Sequence, residues 1–293
     1  MHQKLLAKTS FTAKTSAIRL MVGLSALAVV FVAYTQDAQQ ARPPLNIEKV
    51  APDLYNIAGN GGNVAAYVTA QGVILIDDKF EQDHDEIMAK VQSVTDKPIK
   101  YVLNTHQHGD HTGGNAKMLA NSAEIIIQKN ARANMVAGNM PGVPRISFTD
   151  ETEVFLAGKE VRAHHFGRGH TNGDAAIYFP DLKVVHTGDL CVIGGSPFID
   201  YSAGGSAADW VATIDKIMDW DFDIVIPGHG PVSKRADLLA FRNNFDKMTH
   251  RVTGMLRSGK GKDDVSQMLT AEFGWQANSL GMRQIDAMLV ELK

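Results

Sequence analysis

Residues 104–114 read NTHQHGDHTGG and set His106, His108, Asp110 and His111 within six positions. Imidazole nitrogen and carboxylate oxygen are the usual ligands of zinc in catalytic sites, so this loop reads as one side of a metal site. A catalytic centre needs further ligands from elsewhere in the chain. His170 in GRGHTNGD, Asp189 in HTGDL and His229 in PGHGP stand in similar Gly-flanked turns. Glycine at such points lets backbone come close to a bound ion. One Gly-His-Gly turn would carry little weight. Four turns of this kind, each after a strand-like run, predict an assembled metal centre.

The segments around these turns alternate in type. Residues 50–80, VAPDLYNIAGNGGNVAAYVTAQGVILIDDKF, read as short strands broken by Gly and Asn, ending in the apolar run VILI. HDEIMAKVQSV places Ile87, Met88, Val91 and Val94 at helical spacing. IKYVLN is then a strand, GGNAKMLA begins a helix and EIIIQ is the next strand; later DWVATIDKIMDW is an amphipathic helix, FDIVI a strand and PGHGP the loop at its end. This order predicts an α/β fold with functional loops at strand ends. NMVAGNMPGVPRISFT, residues 134–149, reads as a surface loop, with a flap over a pocket as the functional alternative. After residue 232 apolar positions recur at helical spacing: Leu238, Leu239, Phe245, Met248, Val252 and Met255, then Val265, Met268 and Leu269.

The chain has 293 residues and a formal charge of −3. Lys4, Lys8, Lys14 and Arg19 face Asp37 alone within 1–41, so the remainder carries about −6. A mildly acidic body argues against nucleic acid as a partner, because phosphate binding needs concentrated Lys and Arg. The basic start precedes LMVGLSALAVVFVAY, residues 20–34, which is uncharged. As a helix it would rise about 22 Å, short of the roughly 30 Å hydrocarbon core. The pattern reads as a secretory signal, with an uncleaved membrane anchor as the alternative, and predicts a periplasmic or secreted protein. TQDAQQA offers Ala38 or Ala41 as cleavage positions. The expected organisation is signal or anchor at 1–41, linker at 42–47, catalytic domain at 48–232, and C-terminal helices at 233–293 packed on the same domain. Cys191 is the only cysteine, so no internal disulfide forms; it reads as a small buried residue.

THQHGDHTGG resembles the H-x-H-x-D-H signature of the metallo-β-lactamase superfamily, and His170, Asp189 and His229 follow in that family's order, over roughly residues 48–232. The resemblance implies a four-layer αββα sandwich with a short C-terminal helical extension and metals in a cleft at one edge. It implies that His106, His108 and His170 bind one ion, that Asp110, His111 and His229 bind a second, and that Asp189 bridges them. Asp110 is also the expected catalytic carboxylate. Asp77 matches the family's aspartate that orients a ligand imidazole through its distal nitrogen. Two Zn²⁺ per chain are expected, with iron or manganese as alternatives. Superfamily members that perform oxygen chemistry place glutamate where this chain has His108, which favours zinc and hydrolysis. Two zinc ions against two carboxylates and a hydroxide leave one net positive charge, which suits an anionic small-molecule substrate or a developing oxyanion. The implied chemistry is attack of a bridging hydroxide on a carbonyl.

The substrate is less defined. One group of resistance β-lactamases has cysteine at the position of Asp189 and lysine three residues on, where this chain has Val192; another lacks the bridging aspartate. The seven-ligand pattern is similar to glyoxalase II and acyl-homoserine lactonases. Lys234, Arg235, Arg242, Lys247 and Arg251 are of the kind that hold glutathione in glyoxalase II. SPFIDYSAGGSAADW, residues 196–210, resembles a segment of exported, quinoprotein-associated members. The expected activity is β-lactam or lactone opening. The alternatives are thioester hydrolysis and a non-catalytic, metal-holding role beside a periplasmic redox system. Asp78, His84 and His250 are expected at the surface; His164, His165 and His186 in noncatalytic roles; Thr105 and Thr187 either supporting ligands or in ordinary loop bonds; Tyr201 at the cleft and Trp210 in the core.

Overall fold

The chain is described by a computed structural model over residues 42–293; the expected signal or anchor at 1–41 lies outside the described residues. The first sheet holds seven strands in sequence order. β1 (Asn46–Ala51), β2 (Leu54–Ala58), β3 (Val64–Val68) and β4 (Val73–Ile76) form an antiparallel meander joined by short turns. A parallel neighbour needs a longer crossover, and α1 (His84–Gln92) supplies it before β5 (Ile99–Asn104). The short helices α2 (Gly109–Thr112) and α3 (Asn115–Ala120) lead to β6 (Glu124–Gln128), and α4 (Lys129–Ala137) to β7 (Ile146–Phe148), both again parallel.

The second sheet runs β8 (Glu151–Leu156), β9 (Lys159–His164), β10 (Ala176–Phe179) and β11 (Val184–Val192) as antiparallel neighbours. α5 (Ala207–Met218) crosses over to β12 (Ile224–His229), parallel to β11, and β13 (Ser233–Lys234) forms the edge. Four helices follow: α6 (Arg235–Arg257), α7 (Lys262–Phe273), α8 (Leu280–Arg283) and α9 (Ile285–Glu291). No helix among the described residues is long and apolar enough to cross a membrane.

The period of two along each strand sorts the cores. From β4, Ile74 and Ile76 join Leu54, Tyr67, Leu103, Ile177, Phe179 and Ile226 between the sheets. Val73 and Leu75 face the other way, onto Ile87, Val91 and Met118 of the first helical layer. The outer face of the second sheet meets Trp210, Ile214, Phe245, Val252 and Leu269. Both faces of both sheets are therefore covered, which gives the expected αββα layering. Each fully buried aliphatic side chain contributes about 1.5–3 kcal/mol, so the uniformly buried run VILI is a large local reason for β4 to sit centrally. Trp210 is fully buried and Cys191 is buried, as the sequence implied.

Several local expectations change. Residues 46 and 47, expected in the linker, already belong to β1, and Leu45 is buried with its N–H donated to Glu86 at 2.7 Å. Residues 134–149 are only partly surface loop: α4 continues to Ala137, a turn at Gly142 lies against Asn115, and β7 pairs with β6. PGHGP is not wholly a loop, because β12 runs through Pro227 and Gly228 to His229. Asp78 and His84 are buried rather than surface-exposed. Asp78 accepts from the Gly114 N–H at 3.0 Å, and His84 Nε2 meets Asn121 Nδ2 at 3.1 Å. Leu239, expected on an apolar face, is exposed.

Candidate metal centre

The functional side chains gather where the two sheets open at one edge. β5 ends at Asn104 and delivers Thr105 to His108 into the gap, and α2 then presents Asp110 and His111. His170 arrives from the connection between β9 and β10, Asp189 from β11 and His229 from the end of β12. Asp189 lies inside a strand rather than after one. The β11–β12 ladder slips at Gly188, whose φ of 50° re-aims the next side chain. All seven sequence-derived positions come together, in two groups: His106, His108, His170 and Asp189, and Asp110, His111 and His229, the ligand atoms of each group lying within 4.8 Å of one another.

Backbone approach at this edge demands glycine. A Cβ on Gly228 would stand 2.0 Å from Asp189 Oδ1, and one on Gly62 2.2 Å from the His111 ring. The loop carrying Gly62 is itself held by Lys79, fully buried, whose ammonium donates to the carbonyls of Gly62 and Asn60. Burial pushes that ammonium down to about 8, against the nearby carboxylates Asp83, Asp110 and Asp77.

The hydrogen bonds fix which nitrogen each imidazole turns inward. Thr105 Oγ1 donates to Asp77 Oδ2 at 2.8 Å, so the same oxygen accepts from His106 Nδ1–H at 3.1 Å and leaves Nε2 bare. His108 Nε2–H donates to Asp200 at 2.9 Å, leaving Nδ1 bare. His170 Nδ1–H donates to the Phe198 carbonyl at 2.7 Å, and His111 Nδ1–H to Asp77 at 2.8 Å. Three bare nitrogens of the first group converge, His108 Nδ1 lying 3.2 Å from His106 Nε2 and 2.8 Å from His170 Nε2. Asp189 divides its oxygens: Oδ1 is 3.2 Å from His111 Nε2 and 3.3 Å from His229 Nε2, while Oδ2 is 3.5 Å from His170 Nε2. Asp110 Oδ2 sits 3.3 Å from His229 Nε2.

Charge follows this geometry. Burial pushes His106 well below the usual imidazole range, aided by the His111 charge, and burial holds His170 at about 4. Burial also opposes charge on His111 and His229, but Asp189 with Asp77 raises the first well above its usual value. Asp189 with Asp110 raises the second to about 9. Burial alone would raise Asp110 and Asp189. Their histidine partners outweigh it, holding Asp110 at about 2 and Asp189 well below the carboxylate range. The carboxylates thus draw positive charge into a buried gap.

The donor set fits metal ions. Lone pairs facing each other at 2.8–3.2 Å repel unless a cation lies between them, and about 2.0 Å zinc–nitrogen bonds in a tetrahedron place nitrogens about 3.3 Å apart. His111 Nε2 and Asp189 Oδ1 are buried and, though 3.2 Å apart, make no well-formed hydrogen bond, and a buried polar atom left unsatisfied costs about 1–3 kcal/mol. A cavity of about 540 Å³ opens onto Asp110, Asp189, His108 and His229.

A family model for the metallo-β-lactamase superfamily matches residues 58–229. The chain belongs to this superfamily. It is a metal-dependent hydrolase by family, and the superfamily binds divalent metal, usually zinc. It is 27% identical over 207 residues to a type 2 metallo-β-lactamase of Elizabethkingia meningoseptica, covering 65% of this chain and 80% of that one. It is 25% identical over 177 residues to the 2,4-dinitroanisole O-demethylase subunit alpha of Nocardioides sp. (strain JS1661), covering 59% and 53%. The crystal structure of the DIM-1 metallo-β-lactamase superposes with a TM-score of 0.63 at 17% identity, covering 70% of this chain and 99% of that chain; at that identity the likeness speaks for the fold.

Asp77 lies against His111 and Thr105. It accepts from Thr105 N–H at 2.8 Å as well as from Thr105 Oγ1 and His111, in a left-handed backbone conformation with φ 62°. Thr105 therefore supports the site, whereas Thr187 only bonds the neighbouring Gly188 carbonyl. His186 is buried against Asn63, His165 bonds the Asp174 carbonyl, and His164 pairs with Glu151. Tyr201 does not line the cleft; it donates to Glu291 at 2.8 Å. Asp200, Phe198, Lys79 and Asn63 escaped the sequence reading. Asn63 Nδ2 donates to the Pro227 and Gly230 carbonyls, both at 2.9 Å, and so fixes the turn bearing His229.

Proposed function

We propose that this protein is an exported dizinc hydrolase that opens a carbonyl-containing ring, a lactone or β-lactam. What supports two ions is the division of Asp189: one oxygen faces each group of histidines, and neither group alone uses both. His106 Nε2, His108 Nδ1 and His170 Nε2 would hold one ion, and Asp110, His111 and His229 the other. When bound, zinc supplies a Lewis acid for the acyl oxygen and lowers the pKa of its water to about 7.

The chain's own residues do the rest. Asp77, Thr105, Asp200 and the Phe198 carbonyl hold the imidazoles in the tautomers that keep their inward nitrogens unprotonated. Asp110 lines the open cleft and is ionised at neutral pH. Its Oδ2 faces His229, so Oδ1 is left to orient the attacking water and take its proton. The positive charge expected of two zincs is answered by the oxyanion that develops on the substrate.

The basic residues that would suit a glutathione thioester are engaged elsewhere. Arg242 pairs with Asp215 and Asp246, Arg251 with Glu272, and Arg235 donates to the Trp220 and Met218 carbonyls. None lines the cleft. Export is supported by the basic, then apolar, residues 1–34.

The test is a hydrolysis panel on zinc-loaded protein: a chromogenic cephalosporin, homoserine lactones, a thioester and a phosphodiester. Turnover of a ring substrate, abolished by chelator and by His108→Ala, is expected. Turnover of the thioester alone would replace the substrate class. Full zinc loading with no turnover on any member would favour a metal-holding partner of a redox system.

A further inference from the structure

One wall of the metal cleft comes from outside the family-matched region. Leu280, at the start of α8, lines the cleft with Phe80, Val192 and Phe198, and it is 56% exposed. Its position is built. A Cβ on Gly281 would lie 2.3 Å from the Pro197 carbonyl oxygen and 3.0 Å from the Trp275 ring, so only glycine lets α8 press this closely on the loop before Phe198. The Gln276 N–H donates to Ser196 Oγ at 3.3 Å, and buried Trp275, Ile285 and Met288 anchor the segment in the core. Phe198 is fixed from the opposite side, its carbonyl bound to His170 and its ring stacked on His108 at 5.9 Å.

Cations are missing from this wall. Among the described residues lining the cleft there is no lysine or arginine, and the ammonium of nearby Lys79 is committed to backbone carbonyls. A group extending from the metals meets mainly the hydrocarbon of Phe80, Val192, Phe198 and Leu280, with the Ser196 hydroxyl beside them, and finds no lysine or arginine to pair with a carboxylate.

We infer that the C-terminal helix α8 completes a hydrocarbon subsite beside the metals, and that the cleft selects neutral acyl substrates bearing an alkyl or aryl tail over substrates bearing a carboxylate. This rests on the hydrolase reading above and narrows it toward lipophilic lactones and esters. Specificity then lies with Leu280, which touches the tail and not the reacting atoms.

Equilibrium binding of N-alkyl mercaptoacetamides to the zinc-loaded protein tests this without turnover. The thiol anchors on metal, and only the tail varies. Affinity should rise up to about fourfold per methylene from methyl to pentyl, the value of a buried CH₂. The 3-carboxypropyl analogue should bind at least about tenfold more weakly than the pentyl compound. Leu280→Ala should weaken the pentyl compound several-fold and leave the methyl compound unchanged, and Leu280→Lys should favour the carboxylate. A carboxylate analogue that binds wild-type protein as tightly as the pentyl amide would overturn the inference, as would equal weakening of methyl and pentyl compounds by Leu280→Ala. Failure of the protein to take up zinc would instead overturn the hydrolase reading, and the inference with it.

Discussion

Replacing Asp77 by Asn changes one atom of the site's scaffold and should cost mainly the second metal. Asp77 accepts three hydrogen bonds, from Thr105 N–H, Thr105 Oγ1 and His111 Nδ1, each at 2.8 Å. The amide of Asn has one acceptor oxygen, and the Thr105 backbone N–H has no tautomer to change. The oxygen therefore stays with the Thr105 N–H, and the NH₂ takes the place of Oδ2, facing both Thr105 Oγ1 and His111 Nδ1. His111 must then accept at Nδ1 and carry its proton on Nε2, the atom that points at Asp189 and Asp110. Recovering the metal-binding tautomer leaves two buried donors facing each other, worth about 1–3 kcal/mol. That corresponds to a loss of about 10–100-fold in affinity, the range for outer hydrogen-bond partners of metal ligands. The positive φ of 62° at this position is one that Asn tolerates as well as Asp, so backbone strain does not confound the result. Competition with a chromophoric chelator should show the second zinc weakened by that factor and the first by less, because the Thr105 hydroxyl that bonds His106 Nδ1 also loses its acceptor. Two sites within twofold of wild type would refute the tautomer argument.

Three further outcomes follow from the same geometry. Asp200→Ala removes the acceptor of His108 Nε2–H, but His108 is partly exposed, so water replaces it; chelator competition should show up to about a tenfold loss at the first site. Gly228→Ala drives a methyl toward Asp189 Oδ1 and the Gly188 backbone; zinc titration should show the second ion lost, with about 1–3 kcal/mol of stability lost in denaturant melts. Burial raises the Asp174 carboxyl to about 7, which its two bonds from Thr171 only partly offset. The folded value exceeds the unfolded one, so its stabilisation is complete below about pH 4 and is lost as pH rises through about 7. Asp174→Asn should therefore flatten the stability–pH profile of the metal-free protein over that window, by up to about 4 kcal/mol.

The sequence exposes what is periodic or locally dense. The unbroken apolar run Val73, Ile74, Leu75 and Ile76 marks a strand buried on both faces, and His106, His108, Asp110 and His111 announce themselves by spacing alone. Contributions across long sequence separation leave no such trace. Asp200 reaches His108 over 92 residues from a stretch with no metal-like pattern. Asp77, Asp78 and Lys79 are three consecutive polar residues after a strand, which by composition is a surface turn; only the family resemblance singles out Asp77. All three are buried because each holds a backbone or side chain of the histidine edge. The place of Leu280 at the cleft depends on Gly281 against Pro197, a tertiary fit that helical spacing cannot express.

The central claim is a dinuclear centre, and zinc stoichiometry by elemental analysis tests it most directly. After reconstitution and removal of free metal, the protein should hold about two zinc ions per chain. The paired variant Asp110→Ala with His229→Ala should hold about one, because His106, His108 and His170 remain intact. One zinc in the wild-type protein, or an unchanged count in the variant, would contradict the account.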